Sequence, residues 1–207
     1  MFHDRKDAGE RLADALAKMH LSAPVVLALP RGGVPVALPV AERLAAPLDL
    51  LLVRKIGMPG NRELAAGAVV EGGAPVFNPE VLGLRGLTAD DFNADIAEKR
   101  AEIAARREAW LAGRDPVDLV GKTAVVVDDG IATGATVRAA LQGLATRGAA
   151  RVVLAVPVAP ADSLAALAPL CDDVVCLETP RPFFAVGGHY QVFDQVADEA
   201  VARMLTS

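Results

Sequence analysis

The sequence predicts an α/β fold built on a doubly wound, mostly parallel sheet, and three observations predict it. Short apolar runs without internal alternation, at 24–29, 48–53, 124–127, 151–156 and 174–177, have the character of strands buried on both faces. Stretches with helical periodicity separate most of them. The 207 residues are 53% hydrophobic but only 4% aromatic, so the core must be built mainly of Ala, Val and Leu, which suits layers of helix on sheet.

Residues 4–20 place Leu12, Leu16 and Met19 among charges, the pattern of an amphipathic helix. Strand 24–29 ends at Pro30-Arg31-Gly32-Gly33. Residues 36–44 then read as a helix in which Pro39 must fall within the first turn or make a kink. After strand 48–53, segments 68–70 and 75–77 flank Glu71-Gly72-Gly73-Ala74, a hairpin signal whose glycines supply positive φ. Thr88 is the N-cap of a long helix to about 112, with Phe92, Ile96, Ile103 and Trp110 along a narrow apolar side; Gly113 and Pro116 end it. Strand 124–127, a helix over 135–147 closed by Gly148, strand 151–156, a helix near 161–168 and strand 174–177 complete the pattern. The expected organisation is one domain over 1–207, with a core of about 22–178. It carries a hairpin and long-helix insertion at about 57–115 and a small C-terminal hood at about 178–195.

A net charge of −5 argues against general nucleic-acid binding, whose usual footprint is basic. No apolar run approaches the roughly 18 residues of a membrane span, and the first residues lack a secretory h-region, so a cytoplasmic protein is expected. Cys171 and Cys176 read as core thiols, and three histidines (His3, His20, His189) make a structural zinc site improbable. Gly121-Lys122-Thr123 imitates the end of a P-loop, but that motif needs glycine where Pro116 stands, and the triplet precedes its strand.

Residues 124–136, Ala-Val-Val-Val-Asp-Asp-Gly-Ile-Ala-Thr-Gly-Ala-Thr, carry the clearest chemistry. An apolar strand runs into Asp128 and Asp129, then into a loop of small and hydroxyl residues that opens a helix. Backbone amides of Gly130, Ile131, Ala132, Thr133, Gly134, Ala135 and Thr136, with the two threonine hydroxyls, can ring a phosphate there. The two carboxylates can reach sugar hydroxyls or hydrated Mg²⁺. A helix cap alone needs one Asp, not two. Leu29-Pro30-Arg31-Gly32-Gly33 falls on the same sheet edge; Gly32 and Gly33 permit close backbone approach to an anion, and Arg31 offers a fork matched to phosphate oxygens. Arg54 and Lys55 end strand 48–53 toward the same crevice. Phe183, Phe184, Tyr190 and Phe193, half of the chain's eight aromatics, follow the last strand as either a lid or a pin for the tail.

Segment 125–136 resembles the signature of the type I phosphoribosyltransferases, and the order of residues 24–195 is similar to that family's branch of unassigned acceptor. The resemblance implies 5-phosphoribosyl-1-pyrophosphate (PRPP) as ligand. Its 5-phosphate would lie on 130–136, its ribose hydroxyls over the catalytic pair Asp128 and Asp129, and its pyrophosphate on Arg31, Gly32, Gly33, Arg54 and Lys55. It further implies Mg²⁺ at Asp128 and Asp129, directly or through water, and a strained cis peptide at Arg31–Gly32. A mobile loop at 57–64 with Arg62 and Glu63, and a hood in which Phe183, Phe184 or Tyr190 stacks on a heterocyclic acceptor, complete the implied site. The implied reaction is displacement of pyrophosphate from PRPP by a nitrogen nucleophile. Two alternatives stay open: a PRPP-binding regulator without catalysis, and a hydrolase needing no acceptor. The acceptor is not legible, and the narrow apolar side of helix 88–112 leaves a homodimer open.

Overall fold

The computed structural model describes residues 1–206, apart from the side chain of Glu63. In chain order its elements begin with α1 Arg5–Ala17, β1 Pro24–Ala28, α2 Gly33–Leu44 and β2 Leu48–Leu50. β3 Val53–Met58, β4 Asn61–Val70, β5 Val76–Phe77, α3 Pro79–Gly83 and α4 Asn93–Leu111 follow. β6 Thr123–Val127, α5 Ala135–Leu144, β7 Arg151–Val158, α6 Ala161–Leu167, β8 Asp173–Glu178 and α7 Asp198–Thr206 complete it. Among the described residues no helix is long and apolar enough to cross a membrane.

The five apolar runs supply the parallel sheet, in the order β2-β1-β6-β7-β8. Strand alternation sends Val26, Ala28, Val125, Val127, Val153 and Ala155 to one face, beneath α1, α2, α4 and α7. Val25, Leu27, Ala124, Val126, Leu154 and Val156 meet α5 and α6 on the other. Burial on both faces is why these runs show no polar alternation. Each fully buried valine or leucine contributes about 1.5–3 kcal/mol of transfer free energy.

The run 48–53 is not one strand. It leaves the parallel sheet after Leu50, passes through buried Leu51 and Leu52, and re-enters pairing at Val53 in a separate antiparallel sheet of order β3-β4-β5. The stretch 57–64, expected as an irregular mobile loop, is the tip of the β3–β4 hairpin, turning at Pro59 and Gly60. Arg62 is exposed on β4, and the Glu63 side chain lies outside the described residues. Helix α2 begins three residues before the expected start, because Gly33 N–H reaches Leu29 O at 3.0 Å and Val34 N–H reaches Arg31 O at 3.2 Å. Pro39 therefore falls inside the helix, where its Cγ faces Gly9 of α1; a β-carbon at Gly9 would come within 2.6 Å of it. The long helix starts as a 3₁₀ turn, Ala89–Phe92, with the Thr88–Asp91 capping box that the sequence signalled.

α4 is fixed to the sheet by a buried ion cluster. Arg107 grips Glu71 at the end of β4 with two hydrogen bonds, one of 2.8 Å from Nη2, and reaches Asp49 Oδ1 of β2 at 3.0 Å. Asp49 Oδ2 also accepts Val117 N–H at 2.8 Å, and Arg107 Nη1 donates to Arg114 O at 2.8 Å. The three charged side chains are each less than 10% exposed. Glu71 and Asp49 hold the guanidinium firmly charged against the cost of its burial. Losing one partner would strand uncompensated buried charge. Arg107→Ala is expected to lower unfolding free energy by about 3–5 kcal/mol in a denaturant titration. Arg100→Ala, on the exposed side of the same helix, should change it by less than about 0.5 kcal/mol.

Candidate functional site

β1 and β6 are neighbours in the sheet, yet β1 leads outward to β2 and β6 leads the other way to β7. Their following loops part at that point and leave a crevice at the strands' carboxyl ends, where open α/β sheets take ligands. Leu29 N–H donates to Val127 O at 2.9 Å, tying the two loop stems together. A β-carbon at Gly32 would lie 2.0 Å from Asp129 Oδ2, so only glycine fits against the acidic pair. A non-proline cis peptide is present here, but it joins Pro30 to Arg31, one bond before the expected Arg31–Gly32. No local feature of Pro-Arg-Gly-Gly distinguishes those two bonds.

Asp128 and Asp129 end β6 side by side, and Asp128 Oδ1 accepts the Asp129 N–H at 2.9 Å. Burial and the neighbouring Asp129 charge push the Asp128 carboxyl well above the usual carboxylate range. Burial also raises Asp129, against an opposing hydrogen bond from Arg5. That bond, Nε to Oδ2 at 2.8 Å, comes from α1. Arg5 is itself held by the Asp194 carbonyl at 2.8 Å and stacks 3.8 Å from the Phe193 ring centre. The sequence reading did not find Arg5; its only signal was a basic residue in the first turn of α1, a position that the helix dipole disfavours.

The loop after the pair turns into α5 at Gly134, whose φ of +77° requires glycine. Among the described residues no side chain caps this helix, and its first-turn amides, around Ala135 and Thr136, have no intrahelical partner. Thr133 and Thr136 are exposed beside them. Ile131 departs from the expectation. Its N–H donates to Val158 O at 2.9 Å and its side chain is buried in the core, so it anchors the loop and offers nothing to a phosphate. The Ala132 carbonyl accepts from the Ser163 hydroxyl at 2.8 Å, a second anchor for the loop.

A cleft of about 340 Å³ opens between these loops. Arg31, Arg54 and Thr136 line it together, so residues from three separate sequence motifs converge. Lys55 does not line it. Period-two alternation along β3 sends Lys55 to the face opposite Arg54. The cleft also holds Arg106 and Trp110 of α4 and Asp198 of α7, none of which the sequence singled out as ligand residues. Arg54 Nε is 3.2 Å from Glu102 Oε2, and Arg31 Nη1 is 3.5 Å from Asp198 Oδ1.

The aromatic segment behaves mainly as a pin. Tyr190, 6% exposed, packs between Phe2 and Phe193, and its hydroxyl donates to the Asp129 carbonyl. It has no open face on which an acceptor ring could stack, which removes it from the expected hood contacts. Phe183 stacks on His189 with ring centres 5.1 Å apart. Phe184, at 89% exposed, alone presents an uncovered ring. The partner that sequence reasoning missed is Phe2, which is bridged to Tyr190 and donates its N–H to His189 O at 2.9 Å.

A family profile described as "Phosphoribosyl transferase domain" matches residues 2–191. Two proteins of Mycobacterium tuberculosis, from strains CDC 1551 and H37Rv, are each 50% identical to the chain over 207 residues; their names assign them provisionally as phosphoribosyl transferases. The match covers 99% of this chain but 46% of theirs, so the chain spans about half the length of these curated relatives. Among solved structures, the Thermus thermophilus protein TT1426 is 45% identical with a TM-score of 0.87, covering 99% of this chain and 97% of that one. A Neisseria gonorrhoeae protein solved with bound ppGpp shares the fold at 14% identity and a TM-score of 0.52, covering 100% and 97%.

The raised Asp128 carboxyl has a consequence for stability. A carboxyl whose folded-state proton affinity is raised is tolerated fully below the ordinary carboxylate range and costs stability as pH rises through its folded value. Asp128→Asn should therefore raise Tm at neutral pH, by about 2–4 °C for each kcal/mol of relieved repulsion. The gain should shrink as scans are taken toward pH 4. A variant equally or less stable than wild type at pH 7 would contradict it.

Proposed function

The chain belongs to the phosphoribosyl transferase domain family, and on that premise we propose that it transfers the phosphoribosyl group of PRPP to a nitrogen nucleophile, a nucleobase or related heterocycle. One observation carries the reading: Arg31, Arg54 and Thr136, from three separate segments, open into a single cleft at the carboxyl ends of the parallel strands, and the loop that carries Arg31 packs through Gly32 against Asp129. A ribose with a phosphate at one end and a pyrophosphate at the other calls for amides, carboxylates and guanidiniums, the groups that these loops supply.

In this reading the first turn of α5, with Thr133 and Thr136, holds the 5-phosphate, and Asp128 and Asp129 orient the ribose hydroxyls. The C1–O bond breaks with its electron pair leaving on pyrophosphate, while the acceptor nitrogen's lone pair forms the new bond to C1. Positive charge builds on the sugar, as in glycoside chemistry, and the nearby carboxylates favour it. Arg31 and Arg54 stabilise the charge growing on the departing pyrophosphate. Phe184, with its uncovered ring, is the proposed contact for a flat acceptor.

Mg²⁺ is the proposed cofactor. The donor set fits it: two adjacent carboxylates whose mutual repulsion a hard cation relieves, one of them already sharing an oxygen with Arg5. Among the described residues no group of three or more His, Cys, Asp or Glu is arranged for a metal, so phosphate oxygens and water would complete the coordination. When bound, the ion supplies charge neutralisation to the pyrophosphate.

The double variant Asp128→Asn with Asp129→Asn should fold and yet release no pyrophosphate from Mg²⁺–PRPP with any base of a purine and pyrimidine panel. Activity at the wild-type level would remove the acidic pair from the mechanism. Thr133→Val with Thr136→Val should weaken PRPP binding on the order of tenfold in calorimetry; unchanged affinity would refute the phosphate seat. Pyrophosphate release without an acceptor would identify a hydrolase, and tight PRPP binding with no turnover a regulator.

A further inference from the structure

We propose that Arg106 is a third guanidinium of the pyrophosphate seat, and that the carboxylate of Asp198 occupies that seat until a ligand displaces it. The inference rests on the phosphoribosyl-transfer reading above and deepens it.

Arg106 comes from α4, far in sequence from both loops, yet it lines the same cleft as Arg31 and Arg54. Its guanidinium lies 4.6 Å from the centre of the Trp110 ring, and Trp110, 4% exposed, is itself part of the cleft wall. Stacking on a fixed indole restricts the side chain to few rotamers, so less conformational freedom remains to be lost when an anion arrives. The helix register is fixed as well, because the next residue, Arg107, is locked into the buried cluster with Glu71 and Asp49. A side chain serving only as a solvated surface charge needs neither constraint.

Asp198 is the one carboxylate among the residues described as lining the cleft. It is the first residue of α7, and its oxygens lie 3.3 and 3.4 Å from Arg106 Nη1 and 3.5 Å from Arg31 Nη1. The carboxylate thus bridges two guanidiniums, where a pyrophosphate oxygen would bridge them. Its contacts are loose: the Arg31 distance is at the edge of hydrogen bonding, and Asp198 is half exposed. Exposed pairs of this kind contribute little to stability. A pyrophosphate carries more charge and more acceptor oxygens, and forked Arg–phosphate bonds are among the stronger charge-assisted contacts. Exchange of the carboxylate for the ligand is therefore downhill, whereas the buried Arg107 cluster stays in place.

Calorimetric titration of the purified chain with Mg²⁺ and inorganic pyrophosphate, and separately with ribose 5-phosphate, tests both halves. Arg106→Gln should weaken pyrophosphate about tenfold, with Arg106→Lys in between, and both should leave ribose 5-phosphate affinity unchanged. Asp198→Asn should tighten pyrophosphate about three- to fivefold, and that gain should shrink when combined with Arg106→Gln. Melting scans report whether the loss of stacking on Trp110 disturbs the fold; Asp198→Asn, at an exposed position, gives an arm independent of that. If wild type binds both ligands but Arg106→Gln stays within about twofold of it, or Asp198→Asn weakens pyrophosphate, this inference falls alone. If wild type binds neither ligand, the phosphoribosyl-transfer reading falls and takes this inference with it.

Discussion

Two carboxylates at adjacent positions, largely out of water at the tip of a central strand, are the constraint to which much of this molecule answers. Like charges so close repel, and burial sharpens the repulsion. α1 delivers Arg5 to Asp129, Tyr190 caps the Asp129 carbonyl, and Gly32 leaves out the β-carbon that would collide with the same carboxylate. The N-terminus and the segment after β8 meet at this point: Phe2 packs on Tyr190, and Phe193 stacks on Arg5. The arrangement still leaves Asp128 at elevated proton affinity, so the site by itself keeps a destabilisation that a cation or a sugar hydroxyl can relieve. Such stored unfavourable energy is common where binding is required.

The ion pairs of the protein divide into two kinds, and their magnitudes separate their roles. Arg107 with Glu71 and Asp49 is buried, forked and joined to backbone groups, so its disruption would be costly. It sets the position of α4 relative to the parallel sheet. Arg31–Asp198, at 3.5 Å, and Arg54–Glu102, at 3.2 Å, are partly exposed single contacts and contribute little to stability. Glu102 is further shared with Lys99 at 2.6 Å, which holds its carboxyl below the usual range. A rigid frame carrying loosely paired guanidiniums suits a polyanion that must bind and later leave.

Much of the fold was legible because the parallel strands are apolar on both faces, a pattern that needs no tertiary knowledge. The pair Asp128-Asp129 and the loop to Thr136 were legible because strand, acid pair, small residues and helix follow one another directly. The break at Leu51-Leu52 was not, since apolar residues continue through it and only the partner strands differ. Lys55 was misplaced for want of strand alternation, and Ile131 because an amide's partner, here Val158, is a tertiary fact. α7 went unseen, though Val201 and the partly buried Met204 and Leu205 mark its inner side. Arg5 and Arg106 belong to helices that read as ordinary charged surfaces and Asp198 to the unseen α7, and only the fold brings Arg5 to Asp129 and the other two to the cleft.

The most direct test of the central claim is the structure of the chain crystallised with Mg²⁺ and PRPP. The account requires the 5-phosphate within hydrogen-bonding distance of the α5 first-turn amides and the ribose hydroxyls against Asp128 and Asp129. A ligand lodged elsewhere, with the acidic tip untouched, would contradict it.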